Sequence, residues 1–202
     1  NTRESIFNAF KRKETFATSG PRIKIRFFAG YDIESAFSKE NTIAYLYKTA
    51  STMGGSLKTK KNKSPTFLVW AMADAQGTNL QRVQIIKGWL DNGESKEKVF
   101  DATCSDGLEV DKSSQRCPDN GAKVNLNDCS ISKNKGSREL KTLWKDPEFL
   151  EDQEAFYYVR VLENPVCRWS TWDAIRSNQL PRSDVKSTIQ ERAWSSPIWI
   201  TN

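Results

Sequence analysis

Three short stretches of this chain gather the side chains that binding sites use. The first is Lys11-Arg12-Lys13-Glu14-Thr15-Phe16-Ala17-Thr18-Ser19-Gly20, where cationic groups and a Thr-Ser-Gly turn with free backbone N–H groups suit an anion such as phosphate. Arg12, Thr18 and Ser19 are its candidate contacts. The competing reading is a helix C-terminus with its expected positive charges, followed by an ordinary turn. The second stretch is Cys167-Arg168-Trp169-Ser170-Thr171-Trp172-Asp173, and the third is Gln190-Glu191-Arg192-Ala193-Trp194-Ser195-Ser196-Pro197. Each sets Arg and a carboxylate beside Trp, which suits sugar or aryl recognition by stacking and charge-assisted hydrogen bonds. The candidates are Arg168, Trp169, Glu191, Arg192 and Trp194, against the plain alternative that Trp fills a core and Arg pairs with carboxylates.

The composition limits what these groups can do. The 202 residues contain no histidine, so the usual near-neutral proton shuttle and the commonest metal ligand are both missing, and no Ser-His-Asp or Cys-His machine can be assembled. No catalytic residue and no metal ligand is assigned. Cys104, Cys117, Cys129 and Cys167 lie too far apart for a structural zinc site with close Cys pairs. An even count in loop-like surroundings reads as two disulfides, and hence as a periplasmic or secreted protein. Of the three pairings possible, we take Cys104 with Cys117, which closes a short loop, and Cys129 with Cys167; reduced, buried thiols are the rival reading. The acidic residues Asp101, Asp106, Glu109 and Asp111 do not follow the calcium-loop spacing and read as a solvated loop. Net charge is +6, spread along the chain except at Lys58, Lys60, Lys61 and Lys63, so nucleic acid is not an expected partner. The longest apolar run, Phe67 to Ala73, is far shorter than the roughly 20 residues of a membrane helix, and no membrane partner is expected.

The elements that must position these groups are mostly strands. Asn1 and Glu4 have the spacing of a capping box, and Ile6, Phe7 and Phe10 then share one helical face, so a helix is predicted from the first residue. Such an abrupt start reads as a piece of something longer. Alternation predicts strands at 15–18 and 23–28, and Thr66 to Ala73 reads as a strand apolar on both faces. Residues 82–90 and 98–103 flank Asp91-Asn92-Gly93-Glu94, an Asn-Gly hairpin turn. Residues 104–138 read as an irregular, disulfide-stapled excursion. Beyond it come a buried strand at 155–163, a helix at 172–176 capped by Ser170 or Thr171, and a closing strand at 195–200. The sum is a mainly β chain, a β-sandwich-like domain with peripheral short helices.

The runs NTRESIFNAFKRKETFATSGPRIKIRFFAGYD, FLVWAMAD, VQIIKGWLDNGESKEKVFD, AFYYVRVLENPVCRWSTWDA and IQERAWSSPIWI together resemble the C-terminal part of a large bacterial family of secreted proteins of unassigned function. That family is itself similar to the PHP (polymerase and histidinol phosphatase) superfamily of metal-dependent hydrolases. The resemblance implies that residues 1–20 are the last helix and strand of a (βα)-barrel and that 21–202 form an appended β-sandwich. It implies divalent metal ions in the N-terminal part of the same protein, none in this chain, and a phosphoester or related ester as substrate. It also turns Arg12 to Gly20 towards the barrel mouth, where Arg12, Thr18 or Ser19 would touch substrate. The rival is a non-enzymatic extracellular module presenting Trp169, Trp172 or Trp194 to a glycan or cell-surface partner.

Overall fold

The computed structural model describes residues 2–38 and 40–202. Helix α1 (Arg3–Lys11) is capped by Thr2, whose hydroxyl accepts from the Ser5 N–H; Asn1, expected as the cap, lies outside the described residues. Strands β1 (Phe16–Thr18) and β2 (Lys24–Gly30) follow, then a 3-10 helix (Glu34–Ser38), helix α2 (Thr42–Thr49) and the short strands β3 (Ser51–Thr52) and β4 (Ser56–Lys58). β5 (Thr66–Met72), β6 (Leu80–Asp91) and β7 (Glu94–Cys104) lead into the excursion, after which come β8 (Glu139–Lys145), β9 (Ala155–Glu163) and β10 (Val166–Cys167). Helix α3 (Trp169–Arg176) and strands β11 (Thr188–Ile189), β12 (Arg192–Ser195) and β13 (Ile198–Thr201) complete the chain.

The mainly β expectation is met. A seven-stranded sheet is organised around β9, which pairs with β6 along one edge and with β12 and then β13 along the other. β7 extends the β6 side, while β1 lies antiparallel on β12 and β4 parallel to β13. A second, antiparallel sheet runs β3-β2-β5-β8, and β10 and β11 form a small ribbon. Both large sheets feed one core: Ile25, Phe27, Phe67 and Val69 from the second meet Val83, Ile85, Tyr157 and Val159 from the first. Thr66–Met72 is apolar on both faces because the opposite face of its sheet, at Phe28 and Leu68, is covered by Ile33, by Ala36 of the 3-10 helix and by Leu46 of α2.

The hairpin forms as the Asn-Gly pair requires, with Asn92 and Gly93 at φ 50° and 83°. Both disulfides are those read from the sequence, Cys104–Cys117 and Cys129–Cys167, and they suit an oxidising, extracytoplasmic environment. Two elements need correction. The helix expected at 172–176 begins at Trp169 with Arg168 as its N-cap, because the Thr171 hydroxyl is spent on the Ser187 carbonyl. The single closing strand expected at 195–200 is two strands, since Pro197 has no N–H to continue the ladder. No helix among the described residues is long and apolar enough to cross a membrane.

The core also holds an ion pair. Lys87 faces inward on β6, and its Nζ lies 2.7 Å from Asp146 Oδ2 and donates to the Glu148 carbonyl. Asp146 accepts in addition from the Tyr157 hydroxyl and the Glu148 N–H, at 2.7 and 2.8 Å.

Candidate functional site

Along β9, Ala155, Tyr157, Val159 and Val161 point into the core, and strand alternation puts Glu163 on the same side one step later. A carboxyl group therefore ends an apolar stripe. It is 2% exposed, and its Oε1 has no hydrogen-bond partner. The β5–β6 connection closes over it so tightly that a Cβ at Gly77 would stand 2.8 Å from Oε1. Burial, reinforced by the charges of Asp74 and Glu191 and opposed by Arg138, pushes this carboxyl up to about 7. Asp74 goes the other way: its carboxylate accepts from the Arg22 and Gln76 N–H groups, which hold it below the usual range. Arg138 is fixed above the pair by the Gly77 and Asp74 carbonyls.

The first and third sequence clusters meet here. β1 pairs with β12 so that Thr18 faces Ala193, and the chain beyond each strand stays close. The Ser19 N–H donates to the Arg192 carbonyl, and the Arg192 N–H returns a bond to Ser19 Oγ at 2.9 Å. The Ser19 hydroxyl itself donates to Glu191. The Glu163 N–H donates to the Glu191 carbonyl, so the Ser19–Glu191 pair flanks the buried acid. Trp194 is the next outward residue on β12, with the Arg192 guanidinium 6.0 Å from its ring centroid.

Other candidates lie elsewhere. Arg12 caps α1 and pairs with Glu14, on the side where Tyr47 and Arg26 gather. Arg168 donates to the Lys186 carbonyl, and Trp169 stands 70% exposed at the start of α3. The acidic residues of the excursion are dispersed: Asp101 takes bonds from Gln84 and the Cys117 N–H, Asp106 from the Gly136 N–H, and Asp111 caps a turn at Ser113 and Ser114. Among the described residues no group of three or more His, Cys, Asp or Glu side chains is disposed to hold a metal ion. The basic run is partly engaged, Lys63 with Asp32 and Lys60 over the Tyr31 ring.

A family model described as "Protein of unknown function (DUF3604)" matches residues 1–202. The chain belongs to the DUF3604 family. No curated protein and no solved structure matches it.

In this DUF3604 chain the Glu163 end of the sheet sets a buried carboxyl pushed up to about 7 beside Asp74, whose carboxylate is held below its usual range. A carboxylic acid that keeps its proton to near neutrality beside an ionised carboxylate is the arrangement from which proton transfer or hydrogen-bond donation is built. Sequence reasoning found Ser19, Glu191 and Arg192 but missed Glu163, Asp74 and Arg138. The one available signal was the alternation itself, Ala155-Tyr157-Val159-Val161-Glu163, which placed an acid on a core face.

Proposed function

We propose that this chain is the C-terminal, accessory part of a secreted or periplasmic metal-dependent hydrolase of the PHP type. The N-terminal part of the same protein supplies the divalent metal ions and the phosphoester or related ester chemistry. The observation that carries the reading is α1. Its Ile6, Phe7 and Phe10 are 54, 65 and 67% exposed, a stripe of large apolar groups left in water. Burying each such side chain is worth about 1.5–3 kcal/mol, so a helix patterned this way is suited to packing against another body. The sequence resemblance names that body as the barrel, and the two disulfides suit the compartment. In this reading the Ser19–Glu191 end of β1 closes the mouth of the metal site, and the chain alone turns nothing over.

The test compares the protein containing both parts with this chain alone, using p-nitrophenyl and bis-p-nitrophenyl phosphate with Mn²⁺, Mg²⁺ or Zn²⁺. Metal-dependent turnover by the two-part protein, lost in the chain alone and reduced at least tenfold by Ile6→Ser with Phe10→Ser, is the expected result. Turnover by the repurified chain alone, or a two-part protein that binds no divalent metal, refutes it.

A further inference from the structure

The outer face of the seven-stranded sheet carries an aromatic patch. Cross-strand register sets Gly88, Phe156 and Trp199 side by side on β6, β9 and β13. The far end of the Phe156 ring fills the space above Gly88, where a Cβ would come within 2.2 Å of Phe156 Cζ. Gly88 is thus the residue that lets the ring settle against the sheet. Trp199 is braced by the Lys13 ammonium 5.4 Å from its ring centroid, and Tyr158 continues the row, stacked on Phe156 at 6.5 Å.

With the exposed Leu90, Phe156 and Trp199 line an open cavity of about 490 Å³, a size that admits one or two sugar rings. Its rim carries the Ser95 and Thr201 hydroxyls and the Glu97 and Glu154 carboxylates. Neither carboxylate is held by an ion pair or hydrogen bond among the described residues. Unengaged acceptors around an aromatic floor match a ligand that brings apolar C–H faces and many hydroxyl donors together. A polyanion would meet the Glu97 and Glu154 carboxylates there, while the two nearby cations are already engaged, Lys96 with Glu94 and Lys13 over the Trp199 ring.

We propose that this face, centred on Phe156, Trp199 and Leu90, binds a neutral oligosaccharide. The site stands apart from Trp169 and is independent of the hydrolase proposal. The experiment is a tryptophan-fluorescence and calorimetric titration of the chain with cello-, xylo-, manno-, malto- and laminari-hexaose, with heparin hexasaccharide as the charged control. At least one neutral hexaose is expected to bind, with affinity reduced about tenfold or more by Trp199→Ala and unchanged by Trp169→Ala. Leu90→Glu, at an exposed position, gives the same loss if Trp199→Ala fails to fold. No binding by any neutral hexaose, binding by heparin alone, or binding that survives both Trp199→Ala and Leu90→Glu overturns the proposal.

Discussion

Replacing Glu163 with glutamine removes an ionisable group from a place where the fold disfavours its charge, and the effect on stability has a calculable sign and size. The folded chain holds this proton to about pH 7, whereas an unfolded Glu releases it near 4.5. Between those values the folded state binds more protons than the unfolded one, so stability falls as pH rises from about 4.5 to 7 and then levels off. The gap corresponds to about 3 kcal/mol, at roughly 1.4 kcal/mol per pH unit. Glu163→Gln keeps the shape and cannot ionise. The variant is expected to match the parent at pH 4 and to exceed it by up to about 3 kcal/mol at pH 8, a rise of roughly 6–12 °C in Tm for a chain of this size. Urea unfolding at pH 4, 6 and 8 measures it. A variant that is equally destabilised at every pH would show that Glu163 serves packing, and that its charge costs nothing.

Three further outcomes follow from the same structure. Lys87→Met leaves Asp146 buried with only the Tyr157 hydroxyl and the Glu148 N–H, and should cost about 3–5 kcal/mol in urea unfolding. Adding Asp146→Leu to that variant should restore part of the loss, and a double variant worse than the single one contradicts the argument. Paired Cys104→Ser and Cys117→Ser changes open a loop of 13 residues and should cost about 3 kcal/mol, while opening the Cys129–Cys167 closure of 38 should cost about 4, both read by thermal melting against the oxidised parent.

What the sequence revealed was what neighbours in the chain decide. The Asn92-Gly93 turn needs positive φ at both positions, and those two residues accept it, so the β6–β7 hairpin was legible without any tertiary information. The disulfide at Cys104 and Cys117 was legible for a similar reason, since it closes a short loop. α2 was not: Thr42–Thr49 is rich in β-branched and aromatic residues, and only its seat on Phe28 and Leu68 makes it a helix of this fold. β8 also went unrecognised, because its partner β5 is distant in the chain. The site was half legible. The residue types around Ser19 and Glu191 drew attention separately, but only the β1–β12 pairing joins them. The buried state of Glu163 comes from a loop at Gly77, far away in sequence, and no local pattern announces that lid.

The path of β12 and β13 has a consequence for how the molecule is made. β1 is held by β12 and β4 by β13, so two strands from the first third of the chain bond to the last dozen residues. β9 likewise gains its second neighbour only then. During synthesis from the N-terminus, these early segments must wait, with open edges, until translation of this region is complete. Folding of this sheet is therefore paced by β12 and β13, and until they are in place the sheet has unsatisfied backbone on both sides of the gap, a natural target for chaperones or for misassociation.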